Sequence, residues 1–197
     1  TAQNGRRGAL MLTISVHHPE IRTFINIKKD LKKVTGANIS IRISDEFMNA
    51  VKNKEKVQLR FPVDEKVNPA LQEYVDAEEL WNEIIEAAHN SAEPGLLFWD
   101  NVLNWCPTSS YLRFTSISTN PCGEITLSAY DSCRLLLINT YSFVQNPFTK
   151  QASFNWKHFT EIAKKGQRLM DDLIDLELEC VDKILNKINN DPEPENV

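Results

Sequence analysis

This sequence predicts an α/β fold with much parallel strand pairing. Three observations carry that expectation. Strand-like apolar segments alternate with helical patterns through the first half of the chain. The segment "ANISIRI" switches between apolar and polar residues at every step, the mark of a strand with one covered face. A long stripe of apolar residues at intervals of three and four fills the last third.

The elements follow in order. "ALMLTISV" reads as a strand, and Pro19 suits the first turn of a helix running through about Lys28. After "ANISIRI", Ser44 is positioned to cap a short helix carrying Phe47, Met48 and Val51, with Asp45 and Glu46 favourable in its first turn. "KVQLRFPV" is a further strand. Asp76 with Glu79 three residues on resembles a capping box, opening a helix with Leu80, Trp81, Ile84, Ile85 and Ala88 on one side. "GLLFW" after Pro94 is a continuous apolar run that suits a buried strand, as does the run in "SCRLLLIN". The final helical stripe comprises Phe159, Ile162, Leu169, Leu173, Leu176, Cys180, Ile184 and Ile188, with Gly166 as its weak point. On that stripe Cys180 reads as a small buried hydrophobe.

Bulk composition narrows the function. The chain has 197 residues, 42% hydrophobic and 25% charged, enough for one sizeable core. A net charge of -5 gives no reason to expect a nucleic-acid or membrane surface. Lys28, Lys29, Lys32 and Lys33 cluster, which a solvated helix end or loop explains. No run approaches the ~18 apolar residues of a membrane helix and no signal-peptide core is visible, so the cytoplasm is the expected compartment. Both ends look like cuts: "TAQNGRRGAL" starts as if within a loop, and "INNDPEPENV" is a polar, proline-bearing tail. The expectation is an excerpt of a longer chain.

The four cysteines are Cys106, Cys122, Cys133 and Cys180. Their spacing fits neither a disulfide scaffold nor the zinc templates, and the adjacent His17 and His18 read as a helix-entry loop, so no metal site is expected. "STNPCGEITLSAYDSCRLLLIN" holds the most chemistry. Pro121 fixes one backbone angle and Gly123 permits unusual ones, so a tight turn pushes Cys122 forward between Asn120 and Glu124. An amide can orient a hydroxyl and a carboxylate can remove its proton. A nucleophilic cysteine wants a histidine or a positive environment, and none lies nearby in sequence. A thiol that carries hydrogen atoms does not need to ionise. A loop with an incidental cysteine, followed by a core cysteine, remains open beside it.

The segments "STNPCGEI", "YDSCRLLLINTYSFVQNPF" and "RLMDDLIDLELE" resemble the catalytic core of ribonucleotide reductases, most of all the adenosylcobalamin-dependent class II. "GRRGALM", "HHPEIRTFINIK", "NISIRISDEFMNAV" and "AEPGLLFWDN" occur in that family's order, so the resemblance covers nearly the whole chain. It implies part of a ten-stranded α/β barrel with a catalytic finger loop, residues 1–190 forming the central portion of the barrel and 191–197 a polar tail or linker. It further implies that Cys122 becomes a thiyl radical and takes the 3′ hydrogen of a ribonucleotide. Glu124 would accept the 3′-hydroxyl proton, Asn120 would orient the substrate, and Cys133 would be one of two redox-active thiols.

Adenosylcobalamin, with its cobalt, would start the radical, and a dNTP or ATP effector would act on the complete enzyme. Gln3 and Arg6 would belong to the loop joining effector identity to substrate choice. A thioredoxin-like reductant, a homodimer and the remaining parts of the reductase chain or a companion subunit are the implied partners. Cys106 and Cys180 match no family position, and the other reducing cysteine is expected before the start of this sequence. The competing expectations are a class I large subunit fed by a separate radical-generating protein, and a non-catalytic assembly module that keeps the fold.

Overall fold

The computed structural model describes residues 8–30, 32–64 and 66–193. Two compact units divide at Cys133 and Arg134. The first is built on a parallel three-stranded sheet. Strand β1 (Leu10–Ser15) pairs with β2 (Ala37–Ile43), Leu10 opposite Ala37. On its other side β2 pairs with β5 (Gly95–Phe98), Ser40 opposite Gly95. Helix α1 (Ile21–Asn26) follows β1 and tightens into a 3₁₀ turn at Ile27–Lys29, so the expected helix to Lys28 is only partly α.

Helix α2 (Asp45–Asn53) starts as the sequence requires: Ser44 Oγ accepts the Phe47 N–H at 3.0 Å. It ends on Lys54 in the left-handed region, φ 58°. Strand β3 (Lys56–Phe61) pairs antiparallel with β4 (Leu71–Asp76), a strand that the sequence reading did not find. All of β4 except Val75 is exposed, so no burial pattern marked it. Asp76 Oδ1 accepts the Glu79 N–H at 2.9 Å and opens α3 (Ala77–Ser91).

The core lies on one side of the sheet. Val16, Ile41, Ile43, Phe47, Val57, Leu59, Leu80 and Ile84 are buried there in a single cluster. Helix α3 turns Ala77, Leu80, Ile84 and Ala87 inward; Ile85, expected on that face, is exposed, and Ala87 replaces Ala88. At the edge of the core the buried Arg60 forms a two-pronged pair with the exposed Glu46, at 3.1 and 2.9 Å. Burial works to raise the Glu46 pKa, but the Arg60 hydrogen bonds and the His17 and Arg60 charges outweigh it and hold it below the usual value. His17 is 3% exposed and accounted for structurally, with Nε2 2.6 Å from Ser44 Oγ and Nδ1 3.0 Å from Gln58 O. His17 and His18 lie in the turn that leads into α1, the helix-entry position expected of them.

Two expectations need correction here. Lys28 is not solvated: its ammonium bonds Ala37 O at 2.5 Å and Glu93, whose other oxygen accepts the Ile39 N–H. "GLLFW" is not fully buried, because β5 is an edge of the described sheet and leaves Leu96 and Phe98 exposed. Beyond β5, α4 (Trp99–Trp105) is a short helix that the apolar run concealed.

The second unit is a two-strand ribbon and one long helix. After residues 134–139, which form no regular element, β8 (Val144–Gln145) pairs with β9 (Ser153–Phe154). Helix α5 then runs over Trp156–Asn189, 34 residues, opened by Asn155 Oδ1 accepting the His158 N–H. Phe143, Phe154, Trp156 and Phe159 pack edge-on at its start. Gly166 lets Leu136 and Ile138 approach, since a Cβ there would lie 3.3 Å from Leu136. The run in "SCRLLLIN" is therefore not a buried strand; Leu135 and Leu137 are exposed. Cys180 is exposed too, along with Leu169, Leu173 and Ile184. The periodicity of α5 is real, yet no described residue of its unit covers that stretch. No described helix is long and apolar enough to cross a membrane.

Candidate functional site

The site is assembled on the second face of the parallel sheet. Side chains alternate along a strand, so Asn38, Ser40 and Arg42 of β2 lie opposite its buried isoleucines. The register brings Met11, Thr13 and Ser15 of β1 beside them, and Gly95 and Leu97 of β5 on the other flank. Parallel sheets are usually apolar on both faces. This polar face is the departure that marks a site.

Over the amino-terminal end of that face sits a hairpin. Strands β6 (Ser118–Thr119) and β7 (Thr126–Leu127) pair antiparallel, and residues 120–125 form its loop. The Gly123 N–H closes a β-turn onto Asn120 O at 3.0 Å. Asn, Pro and Gly occupy the first, second and fourth positions of this turn, where each is favoured, and Cys122 takes the third. Gly123 is at φ 85°, a conformation that side chains resist, although a Cβ there would meet nothing within 4 Å. Backbone shape alone selects glycine here. Asn120 braces the loop from within: its Oδ1 accepts the Ile125 N–H at 3.0 Å, and its own N–H donates to Ile125 O at 3.1 Å. Asn38 braces it from the sheet, Nδ2 donating to Pro121 O at 2.5 Å.

The result is an exposed thiol at the third position of a turn held at both ends. Cys122 lines a cavity of about 420 Å³ together with Met11, Asn38, Ser40, Gly95 and Gly123. Cys133 lines a neighbouring cavity of about 470 Å³ with Asn120, and the two share Met11 and Pro121. The buried Ser128 links them along the chain, its N–H and Oγ both bonding Asp131 Oδ2 in the turn after β7. Both thiols are free. Glu124 is exposed and lines neither cavity. Gln3 and Arg6 lie outside the described residues.

The sequence reading passed over Cys106. Its sulfur lies 3.1 Å from Thr108 Oγ1, 3.2 Å from Thr126 Oγ1 and 3.5 Å from Ser116 Oγ. Hydrogen bonds from Ser116 first, then Thr108 and Thr126, lower its pKa from 9.0 to about 6. Only Thr108 is close in sequence; the other hydroxyls come from the hairpin region. Asn38 was equally hidden, as one polar residue in an alternating strand.

Comparison with known proteins agrees with this geometry. Residues 1–191 match the family described as "Ribonucleotide reductase, barrel domain". A vitamin B12-dependent ribonucleoside-diphosphate reductase of Thermoplasma acidophilum is 34% identical over 171 residues, covering 86% of this chain and 21% of that protein. The protein of the same description from Mycobacterium tuberculosis is 32% identical over 172 residues, 87% of this chain and 23% of the relative. A vitamin B12-dependent ribonucleotide reductase of Streptomyces avermitilis is 28% identical, over 84% of this chain and 19% of its own. The chain thus spans about a fifth of the length of these relatives. With its parallel sheet, its polar face and the thiol-bearing turn above it, this chain belongs to the ribonucleotide reductase barrel-domain family.

Proposed function

We propose that this chain forms the central part, residues 1–190, of the catalytic barrel of an adenosylcobalamin-dependent ribonucleotide reductase, with 191–197 as a linker. The observation that carries the reading is Cys122, exposed on a braced turn beside a cavity of about 420 Å³. That volume lies in the range of small-molecule sites and suits a nucleoside. It is far smaller than a corrin with its nucleotide tail, so this cavity would hold the nucleotide and not the cobalamin. The relatives' names, which specify vitamin B12, favour this cofactor over a class I radical subunit. When bound, adenosylcobalamin supplies the radical that starts the chemistry.

The residues then divide the work. Cys122, as a thiyl, removes the 3′ hydrogen atom of the ribonucleotide and later returns it. Glu124 takes the 3′-hydroxyl proton. Asn120 has committed its carbonyl oxygen to Ile125, so its amide N–H groups are the part that orients substrate. The 2′-hydroxyl leaves with a proton as water. Two electrons and the replacing hydrogen come from a thiol pair, Cys133 and a cysteine outside this chain, which closes to a disulfide. A thioredoxin-like dithiol reopens it by exchange. Gln3 and Arg6 contribute to the effector-responsive loop, where a dNTP or ATP acts on the complete, cytoplasmic homodimer.

Full-length enzyme carrying this chain tests the reading. With adenosylcobalamin and a dithiol it converts a ribonucleoside di- or triphosphate to the deoxy form, and Cys122→Ser reduces turnover by at least about 10³-fold with an unchanged melting temperature. Turnover retained in Cys122→Ser would favour an assembly module. The chain alone is expected to be inactive; deoxynucleotide formed without further polypeptide would refute that.

A further inference from the structure

We propose that Ser40 is a substrate-binding residue whose hydroxyl hydrogen-bonds a ribose hydroxyl of the nucleotide held against Cys122. The inference rests on the ribonucleotide-reducing reading and assigns that site a contact on β2. Ser40 is 5% exposed as a residue, yet its Oγ bonds no described residue and opens onto a cavity. A hydroxyl open to a cavity and without a protein partner bonds whatever fills that cavity, water in the empty site and ligand in the occupied one. The cavity that Ser40 lines is the one with Cys122.

Neighbouring residues leave the role to Ser40. Asn38, two positions back on the same face, spends its amide N–H on Pro121 O. Gly95, directly opposite on β5, is the residue that gives the hydroxyl room: a Cβ there would lie 2.7 Å from Ser40 Oγ. The lining also selects the part of the ligand. No described lysine or arginine lines this cavity, and the Glu93 that does is already paired with Lys28, so the lining offers a phosphate no free positive charge. A hydroxyl that both donates and accepts matches a sugar hydroxyl, which does the same. The thiol beside it acts on the sugar.

Equilibrium binding to the full-length reductase without adenosylcobalamin, where no turnover occurs, tests this with three probes: a ribonucleotide and its 2′-deoxy and 3′-deoxy analogues. Ser40→Ala is expected to weaken the ribonucleotide by about tenfold and to leave the affinity of at least one deoxy analogue unchanged. Ser40→Cys, which keeps the volume but hydrogen-bonds weakly, is expected to show the same pattern should the alanine variant fold poorly. An unchanged ribonucleotide affinity overturns the assignment. Equal weakening of all three probes also overturns it, because the effect is then structural. Failure of the wild-type holoenzyme to reduce ribonucleotides sinks the proposed function instead; turnover with a flat probe pattern sinks only the role of Ser40.

Discussion

The two faces of β2 differ sharply. On one, Ile39, Ile41 and Ile43 are at most 1% exposed, and Ile41 and Ile43 join the helix-backed core. On the other, Asn38, Ser40 and Arg42 meet a hairpin, a cavity and a tryptophan ring; the Arg42 guanidinium lies 5.2 Å from the Trp99 ring centre. The seven residues of this strand therefore pack the core on one face and present a polar surface on the other. The lesson is that one strand can carry the core on one face while its other face is free to be polar.

The largest effect should come from the isoleucine face. Ile41→Ala removes buried methyl groups and leaves a cavity, at a cost of about 2–5 kcal/mol in denaturant melts. A loss under about 1 kcal/mol would mean that this face is not the core. Next comes the hairpin. Gly123→Ala forces a side chain into φ 85° and should cost about 1–2 kcal/mol while loosening Cys122. An unaltered melt, with unaltered alkylation of Cys122, would show that the turn is not held in this shape.

Asn38→Ala, on the polar face, should cost about 1 kcal/mol or less because the residue is exposed. It should nevertheless change the alkylation rate of Cys122 through Pro121. A loss as large as that of Ile41→Ala would abolish the contrast between faces. The smallest effect concerns Cys106, at the hairpin base. Its folded pKa of about 6 lies below 9.0, so its contribution to stability is present above pH 9 and lost as pH falls through about 6. Its alkylation, followed by peptide mapping, should titrate with a midpoint near 6. A midpoint near 9 would mean that the three hydroxyls do not cradle it.

Much of this was legible before any coordinates. "ANISIRI" declared its two faces by alternation, and the strand bounds match to the residue. Ser44 and Asp76 capped their helices as expected, since a cap is a bond between residues three apart. "NPCG" announced its turn for the same local reason. The misses share the opposite cause. β4 has no apolar pattern because all of it except Val75 is exposed while it pairs with β3. "SCRLLLIN" and the α5 stripe were read as buried from composition, but burial depends on what lies across from them.

By itself, the sequence determined most of the elements (but not β4 or α4), two helix caps, the turn under Cys122 and the family, all consequences of interactions spanning a few residues or of an ordered set of motifs. Tertiary structure alone decided which side chains meet: Asn38 with Pro121, Ser40 with Gly95 and the thiol cavity, Cys106 with Ser116 and Thr126. Those partners are separated by ten to more than eighty positions, so no pattern of a few residues announces them, and only the folded chain sets them side by side.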